Sequence, residues 1–321
     1  MPTAPTRESA LKLLPLAAFF ILGAISVVIW WVPLTSSFAL ALRDDQYTHI
    51  LLILPMSAAL IFLDWKAPGA SSGLAMSLGS ASLGSVSLGS ASLGSVLLVV
   101  AASVTFYVRW RVVAIPFDER LSLNMLALVV WWIAAFILCF GTSAFRRELF
   151  PLCFLFGMVP LPGFVLNLIV ILLQQGSAAV AHFLFVVARV PVEQQGLLVH
   201  IPGLTVEVAR ECSSIRSSSM LLVTTMVLAQ LLLRSPWRKA LVVAVAIPLS
   251  VVKNGLRIFV IAMLATRLDP SFLTGRLHRE GGIIFFLIAL GAVFLLLWVF
   301  RRGEAEKRGI GSTGINARGV L

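Results

Sequence analysis

The sequence predicts an all-α polytopic membrane protein of about eight transmembrane helices, with a small β-hairpin at the outer face. Apolar residues make up 59% of the 321 residues and charged residues only 12%, whereas a soluble domain carries about 25% charged residues. The mean hydropathy is +1.00. The apolar runs are about 20 residues long, which suits membrane-crossing helices and not the short alternating strands of a β-barrel. A soluble globular protein and a disordered chain are thereby excluded.

Charge placement sets the expected orientation. The formal net charge is +11, but the basic residues are scattered between apolar runs, so we expect no nucleic-acid partner. Short loops rich in Lys and Arg stay in the cytoplasm, which places both chain ends there. The apolar run after Lys12 is too long for a signal peptide and is expected to remain as an anchor.

The apolar segments give eight spans if the long run Phe150–Val190 crosses the membrane once. Its second half, about Gln175–Val190, is then expected to lie on the membrane surface as a helix. The predicted spans are Leu13–Leu34, Ile50–Leu63, Val86–Val108, Leu121–Gly141, one crossing within Phe150–Val190, Ser213–Leu233, Trp237–Leu264 and Gly282–Phe300.

Two segments between the spans have their own patterns. Residues 77–96 repeat SLGSA and SLGSV twice, which we interpret as a low-complexity connection whose small residues would permit close helix packing inside the membrane. Leu197–Ile201 and Leu204–Val208 flank Pro202–Gly203, a pattern typical of two short strands around a turn. This hairpin leads directly to Cys212.

Three polar residues are expected at the outer membrane boundary. Cys212 precedes the span Ser213–Leu233, and His278 precedes the last span. Arg257 lies 20 positions after Trp237, or about 30 Å along a helix that starts at the inner side. Cysteine as nucleophile, histidine as acid and base, and arginine as oxyanion stabiliser suit acyl transfer through a thioester. Arg216, one turn after Cys212, would favour the thiolate.

Structural interpretations compete with this one. Cys212 could be a packing residue, as we expect of Cys139 and Cys153. Arg257 could extend to the lipid headgroups, as could Lys253. A non-enzymatic transporter or lipid-binding membrane protein is therefore the alternative, with Lys253 and Arg257 attracting anionic headgroups. The sequence contains no His, Cys, Asp and Glu cluster at metal-ligand spacing, so we expect no metal and no cofactor.

At these residues the sequence resembles the exosortase/archaeosortase family of membrane cysteine transpeptidases. Glu211-Cys212-Ser213-Ser214-Ile215-Arg216-Ser217 is similar to the family's cysteine signature, and Asn254-Gly255-Leu256-Arg257-Ile258 to its N-x-x-R-I signature. His278 ahead of the last span matches the third element, which is His in the bacterial exosortases. Ser214 stands where many members have Gly. The resemblance extends to Tyr47-Thr48-His49, Pro55, Pro160-Leu161-Pro162 and Gly196 with Ile201-Pro202-Gly203.

The resemblance implies a cysteine protease and transpeptidase of the bacterial inner membrane whose site faces the periplasm. Its substrates would be secreted proteins with a C-terminal PEP-CTERM-type signal, and its acceptor a glycolipid or polysaccharide. Cys212, Arg257 and His278 would be catalytic, with Arg216, Glu211 and Asn254 supporting catalysis or binding substrate. Residues 1–300 would form one integral-membrane domain in contact with lipid, followed by a basic cytoplasmic tail, 301–321.

Overall fold

A computed structural model describes residues 7–66, 88–208, 215–273 and 282–316 of the chain. In these ranges seven helices are long and apolar enough to cross a membrane, or eight if a bent helix pair near the amino terminus counts as one span. The predicted all-α polytopic class is confirmed. The chain divides into two compact units, Met1–Val165 and Leu166–Leu321.

The first unit is built from helices that match the first four predicted spans. Between α1 and α2 the chain bends by 74° at Trp30, so the first predicted span is two helical pieces. Trp131 and Trp132 of α5 donate hydrogen bonds to Leu22 O at 3.1 Å and Ser26 Oγ at 2.8 Å, which fastens α1 to α5. The helices are α1 (Arg7–Ile29), α2 (Trp31–Arg43), α3 (Ile50–Lys66), α4 (Leu88–Trp110), α5 (Phe117–Arg147) and α6 (Leu149–Phe154), with 3-10 turns at Asp45–Tyr47 and Leu155–Met158.

The final part of the Ser/Leu/Gly repeat lies inside a helix and not in a connection. Residues 88–96 form the start of α4, and Ser90 and Gly94 are buried there. A Cβ atom added at Gly94 would come within 2.8 Å of Leu138 Cγ and 3.2 Å of Ala134 O. The small residues of the last repeat copy therefore let α4 approach α5 closely, as small residues do in membrane helix pairs.

Glu148, between α5 and α6, is a fully buried carboxyl group. Its Oε1 atom lies 3.5 Å from Nε of Arg147. Burial raises the pKa of Glu148, the nearby charge of Asp64 raises it further, and Arg147 acts in the opposite direction. The group is therefore held toward its neutral form, because a buried carboxylate loses its hydration.

The second unit contains four long helices and one small sheet. The helices are α7 (Gly163–Val187), α8 (Ile215–Leu232), α9 (Pro236–Arg267) and α10 (Gly282–Asn316), and a 3-10 turn covers Pro270–Leu273. The predicted surface helix at Gln175–Val190 is wrong, because α7 runs without interruption through Gln174 and Gln175. The side chain of Gln174 is buried and donates a hydrogen bond to Val208 O at 2.7 Å. The Gln174 amide therefore has a hydrogen-bond partner inside the unit, and the helix does not need to end there.

The sheet confirms the predicted hairpin and adds one strand to it. The antiparallel order is β1-β2-β3, with β1 at Glu193–Gln195, β2 at Leu198–Ile201 and β3 at Leu204–Glu207. Gly203 has a φ of 82° in the turn, which favours glycine. Apolar side chains of the sheet share one core with the ends of two helices: Val199, Ile201 and Val208 with Ala178, Ala181 and Phe185 of α7 and Ile258 and Ala262 of α9.

Candidate functional site

The structure describes three of the six predicted site residues. Arg216 lies in the first turn of α8, and Asn254 and Arg257 lie in the second half of α9. Glu211, Cys212 and His278 fall outside the described residues, so their roles stay predictions.

Asn254 lies where α7 and α9 come closest. It is 1% exposed, and its Nδ2 atom donates a hydrogen bond to Ser177 Oγ at 2.9 Å. A Cβ atom added at the next residue, Gly255, would lie only 2.5 Å from Val180 Cγ1 and 3.0 Å from Ser177 O. Glycine is therefore required here by the close approach of the two helices, and the contact holds the first turn of the N-x-x-R-I segment in place.

Lys253 connects α9 to the beginning of α8. Its side chain is buried at 5% exposure, and Nζ donates a hydrogen bond to the Ser217 hydroxyl. Nearer the other end of the pair, Lys239 Nζ donates to Gln230 Oε1 at 2.7 Å. The 14 residues Ser217–Gln230 of α8 thus run beside the 15 residues Lys239–Lys253 of α9 in the opposite direction. Arg257 is one turn beyond Lys253 on α9 and is half-buried.

The strand that leads to the cysteine segment is fixed at its end. Val208 is fully buried; its amide donates to Leu197 O at 3.0 Å, and its carbonyl accepts the Gln174 hydrogen bond. Val208 belongs to the same apolar core as Phe185 of α7 and Phe259 of α9, whose ring centroids are 5.0 Å apart. The chain therefore enters residues 209–214 from an anchored position beside α7 and α9.

The beginning of α10 lies at the same level as Arg257. Arg238 near the start of α9 donates to Phe300 O of α10 at 2.5 Å, and the amide of Arg234, four residues earlier, donates to Glu304 Oε2, four residues later, at 3.2 Å. The two helices therefore run in opposite directions. Arg257 is 19 residues from Arg238 and Gly282 is 18 residues from Phe300, or about 28 and 27 Å at 1.5 Å per residue. The end of the unit that carries the sheet therefore also carries Ser217, Arg257 and the first residue of α10. We call it the sheet end.

Sequence reasoning missed the roles of Lys253, Gln174 and Ser177 at this site. The sequence allows Lys253 to reach the lipid headgroups, whereas the structure buries it at 5% exposure between two helices. The sequence feature that could have identified it is the presence of a lysine within an apolar segment. Burying such a charge in a membrane helix is costly, so the residue is a functional candidate. Gln174 and Ser177 carry no such signal, because a polar residue in an apolar run does not reveal its partner.

His49, from the Tyr47-Thr48-His49 stretch, lies in the first unit and directly precedes α3. Tyr47 is buried at 9% exposure, and the Nδ1 atom of His49 is buried without a hydrogen-bond partner among the described residues. In the same described ranges, no group of three or more His, Cys, Asp and Glu side chains is arranged to hold a metal ion.

The fold and these contacts define a multi-pass helical membrane protein with a buried polar network at the sheet end of its second unit. The sequence model of one family, described as transmembrane exosortase, matches residues 30–295. The match spans most of the chain, and the protein belongs to the transmembrane exosortase family, which supports a role as a membrane transpeptidase. Searches of curated proteins and of solved structures gave no match.

Proposed function

We propose that this exosortase cleaves the C-terminal PEP-CTERM-type signals of secreted proteins through a thioester on Cys212, at the periplasmic face of the bacterial inner membrane. The new carboxyl end would then pass to an acceptor on a glycolipid or polysaccharide. Cys212 is the nucleophile, His278 the general acid and base, and Arg257 the group that stabilises the oxyanion or clamps the substrate.

The helix register at the sheet end is the observation that carries this proposal. The Lys253–Ser217 and Lys239–Gln230 contacts pair α9 with α8 in opposite directions. Continuing that register beyond Lys253 reaches Arg257, one turn past the level of Ser217 and toward the amino end of α8. Cys212 is also only three residues before Ile215, so its Cα is within about 11 Å of the start of α8.

The same reasoning supports the role of His278. Gly282, the first residue of α10, lies level with Arg257, and His278 precedes Gly282 by four residues. Four residues span at most about 14 Å. The imidazole is therefore tethered within reach of the level at which Arg257 and the start of α8 lie, although the three residues are far apart in sequence.

The first half of the reaction forms the thioester. The thiolate of Cys212 attacks the scissile peptide carbonyl, and the oxyanion of the tetrahedral intermediate is stabilised by the Arg257 guanidinium. The C–N bond then breaks as His278 gives a proton to the leaving amine. Arg216 assists by favouring the thiolate or by pairing with a substrate carboxylate, and Glu211 and Asn254 support the segment around them.

The second half resolves the thioester. An acceptor nucleophile loses its proton to His278 and attacks the thioester carbonyl, and the C–S bond breaks to regenerate the thiolate. Transfer to a glycolipid or polysaccharide acceptor and hydrolysis by water differ only in the nucleophile that enters at this step.

The nucleophile is tested by co-expressing the protein with a PEP-CTERM reporter. Cys212→Ala is expected to leave the reporter uncleaved, and a covalent reporter adduct should be mapped by mass spectrometry to Cys212 in the wild type. Cys153→Ala is the matched control, because Cys153 is an exposed free cysteine of the first unit. Processing of the reporter by Cys212→Ala would disprove the assignment.

The arginine is tested in the same assay. Arg257→Lys keeps the charge but loses the planar guanidinium, so we expect it to retain only a small part of the activity. Removing one oxyanion donor lowers the rate of catalysis by about 100-fold or more. The rate of reporter cleavage by Arg257→Ala should therefore fall by at least that factor. Full activity in both variants would exclude Arg257 from the reaction.

A further inference from the structure

One exposed face of α10 changes from apolar to basic at the end of the second unit opposite the sheet end. Three apolar residues and two arginines have the i, i+1, i+4, i+7 and i+8 spacing that places side chains on one face of a helix: Phe294, Leu295, Trp298, Arg301 and Arg302. The apolar side chains of this set are exposed, and so are both arginines. A helix apolar enough to cross a membrane therefore carries two cations where its apolar face ends. We call these five residues the arginine face.

Trp298 positions one of the two cations. Cζ of the Arg302 guanidinium lies 3.8 Å from the centroid of the Trp298 ring. The ring attracts the positive charge without accepting an N–H···O hydrogen bond, so the guanidinium can still donate to an anion. Tryptophan is enriched at the level of the lipid headgroups in membrane proteins. The pair therefore indicates the level at which headgroups meet α10.

Glu304, the carboxylate that follows the two arginines in the sequence, is already partnered. It accepts hydrogen bonds from two backbone amides just before α9, at 3.2 and 3.0 Å, and its Oε1 atom lies 3.9 Å from Nη1 of buried Arg238. Its negative charge is therefore directed to α9. Among the described residues, no carboxylate lies within ion-pair distance of Arg301 or Arg302.

The composition of this end of the unit also favours an anion. Residues 301–308 include four basic and two acidic side chains, a net formal charge of +2. Residues 234–239, at the start of α9 and just before it, add three basic side chains and no acidic one. The hydrogen bond from its amide to Glu304 brings Arg234 beside α10, and the Arg234 side chain is exposed. The excess of basic residues therefore attracts an anion toward the arginine face.

We propose that the arginine face binds one anionic phospholipid of the phosphatidylglycerol type. Arg301 and Arg302 contact the phosphate, and an acyl chain lies along the three apolar side chains. A soluble anion would leave the apolar surface unused, and in phosphatidylcholine the choline already balances the phosphate. An anionic phospholipid matches both parts of the face, because it carries its charge at one end of an apolar chain. This inference does not depend on the proposed function.

The test compares ligands that differ in one feature. The protein in a neutral detergent is titrated with dioleoyl phosphatidylglycerol, with dioleoyl phosphatidylcholine, or with glycerophosphoglycerol, which has the headgroup and no chains. Bound molecules are counted by native mass spectrometry. We expect one phosphatidylglycerol to bind more tightly than phosphatidylcholine, by about fivefold for each arginine. Glycerophosphoglycerol should not bind at the same concentration.

Variants locate the bound lipid. The double variant Arg301→Gln and Arg302→Gln should bind the two phospholipids equally, and it should keep the wild-type melting temperature because both arginines are exposed. Trp298→Leu keeps an apolar side chain but removes the ring under Arg302, so the preference should fall by about two- to fivefold. Arg267→Gln is the matched control, since Arg267 is an exposed arginine at the end of α9 without a tryptophan in the preceding turn. It should keep the wild-type preference.

Three results would overturn the proposal. The first is equal binding of the two phospholipids by the wild type. The second is a double variant that keeps the wild-type preference, or an Arg267→Gln variant that loses it to the same extent. The third is displacement of phosphatidylglycerol by an equal concentration of glycerophosphoglycerol, because the apolar part of the face would then contribute nothing.

Discussion

The side chain of Asn254 donates a hydrogen bond to Ser177 across the contact between α9 and α7, at 2.9 Å. Both residues are essentially inaccessible to solvent. In a low-dielectric interior each polar group needs its partner, so this bond fixes the rotation of α9 about its own axis. That rotation decides which way the Arg257 side of the helix is turned.

Gly255→Ala should test how tightly the two helices meet. The new methyl group would lie 2.5 Å from Val180 Cγ1, so α9 must shift away from α7. We expect a loss of about 1–3 kcal/mol in stability, as for other overpacked sites, and a matching loss of reporter processing. Gly291→Ala on α10 is the control, because nothing lies within 4 Å of its added Cβ. Equal melting temperatures for the two variants in detergent would contradict the close approach.

Gln174→Met should loosen the chain that enters the cysteine segment. The substitution keeps the side-chain volume but leaves the buried carbonyl of Val208 without its donor, which costs about 1–3 kcal/mol. Hydrogen exchange should then increase at the amide of Val208. Gln175→Met changes the exposed neighbour on the same helix and should have no such effect. Unchanged exchange in Gln174→Met would show that the bond is not what holds Val208.

Orientation can be read from thiol labelling in intact cells. With the three native cysteines replaced, Gln195→Cys places a thiol on exposed strand β1, and Arg234→Cys places one at the opposite end of the second unit. The basic loop at Arg234 is expected inside, so an impermeant maleimide should label the first variant alone before lysis. Labelling of Arg234→Cys in sealed cells would show that the orientation is the opposite one, with the sheet end in the cytoplasm.

Glu148 should make stability depend on pH. Its folded-state pKa is raised by burial, so the native state keeps its proton to higher pH than the unfolded chain, in which Glu titrates near 4.3. Stability should fall as pH rises from about 4.3 through the folded-state pKa. In Glu148→Gln the melting temperature should lose this dependence and exceed that of the wild type at neutral pH.

Asp269→Asn provides the contrast. The hydrogen bond from the Ser271 amide lowers the pKa of exposed Asp269, so its stabilising effect is fully present above the unfolded value of about 3.9. The variant should have the wild-type slope between pH 5 and 8. A Glu148→Gln curve as steep as that of the wild type would mean that another group causes the pH dependence.

Hydropathy predicted where the membrane-crossing helices lie, but not the bend at Trp30, and Pro202–Gly203 predicted the turn of the hairpin. The sequence pattern did not predict β1, because Glu193–Gln195 is polar and gains its strand geometry only from pairing with β2. Nor did it predict that α7 continues through Gln174. A glutamine in an apolar run indicates a helix end when no partner is known, whereas a partner 34 residues later removes the reason for the helix to end.

The candidate site shows the same limit. Span lengths and charge placement predicted that Arg257 lies at one end of the bundle, and the structure places it level with the start of α10. The burial of Lys253 beside Ser217 depends on a contact between two residues 36 positions apart on neighbouring helices, which no local pattern encodes. The placement of Cys212 and His278 stays a prediction.

The two lysine contacts that align α8 with α9 also restrict how the chain can change in length. One extra residue between Lys239 and Lys253 would turn everything beyond it by 100° and advance it by about 1.5 Å. Arg257 would then point toward lipid, or the Lys253–Ser217 bond would break. Insertions and deletions should thus be tolerated in the connection between the helices and should disrupt the site within Lys239–Lys253, whatever side chain is added.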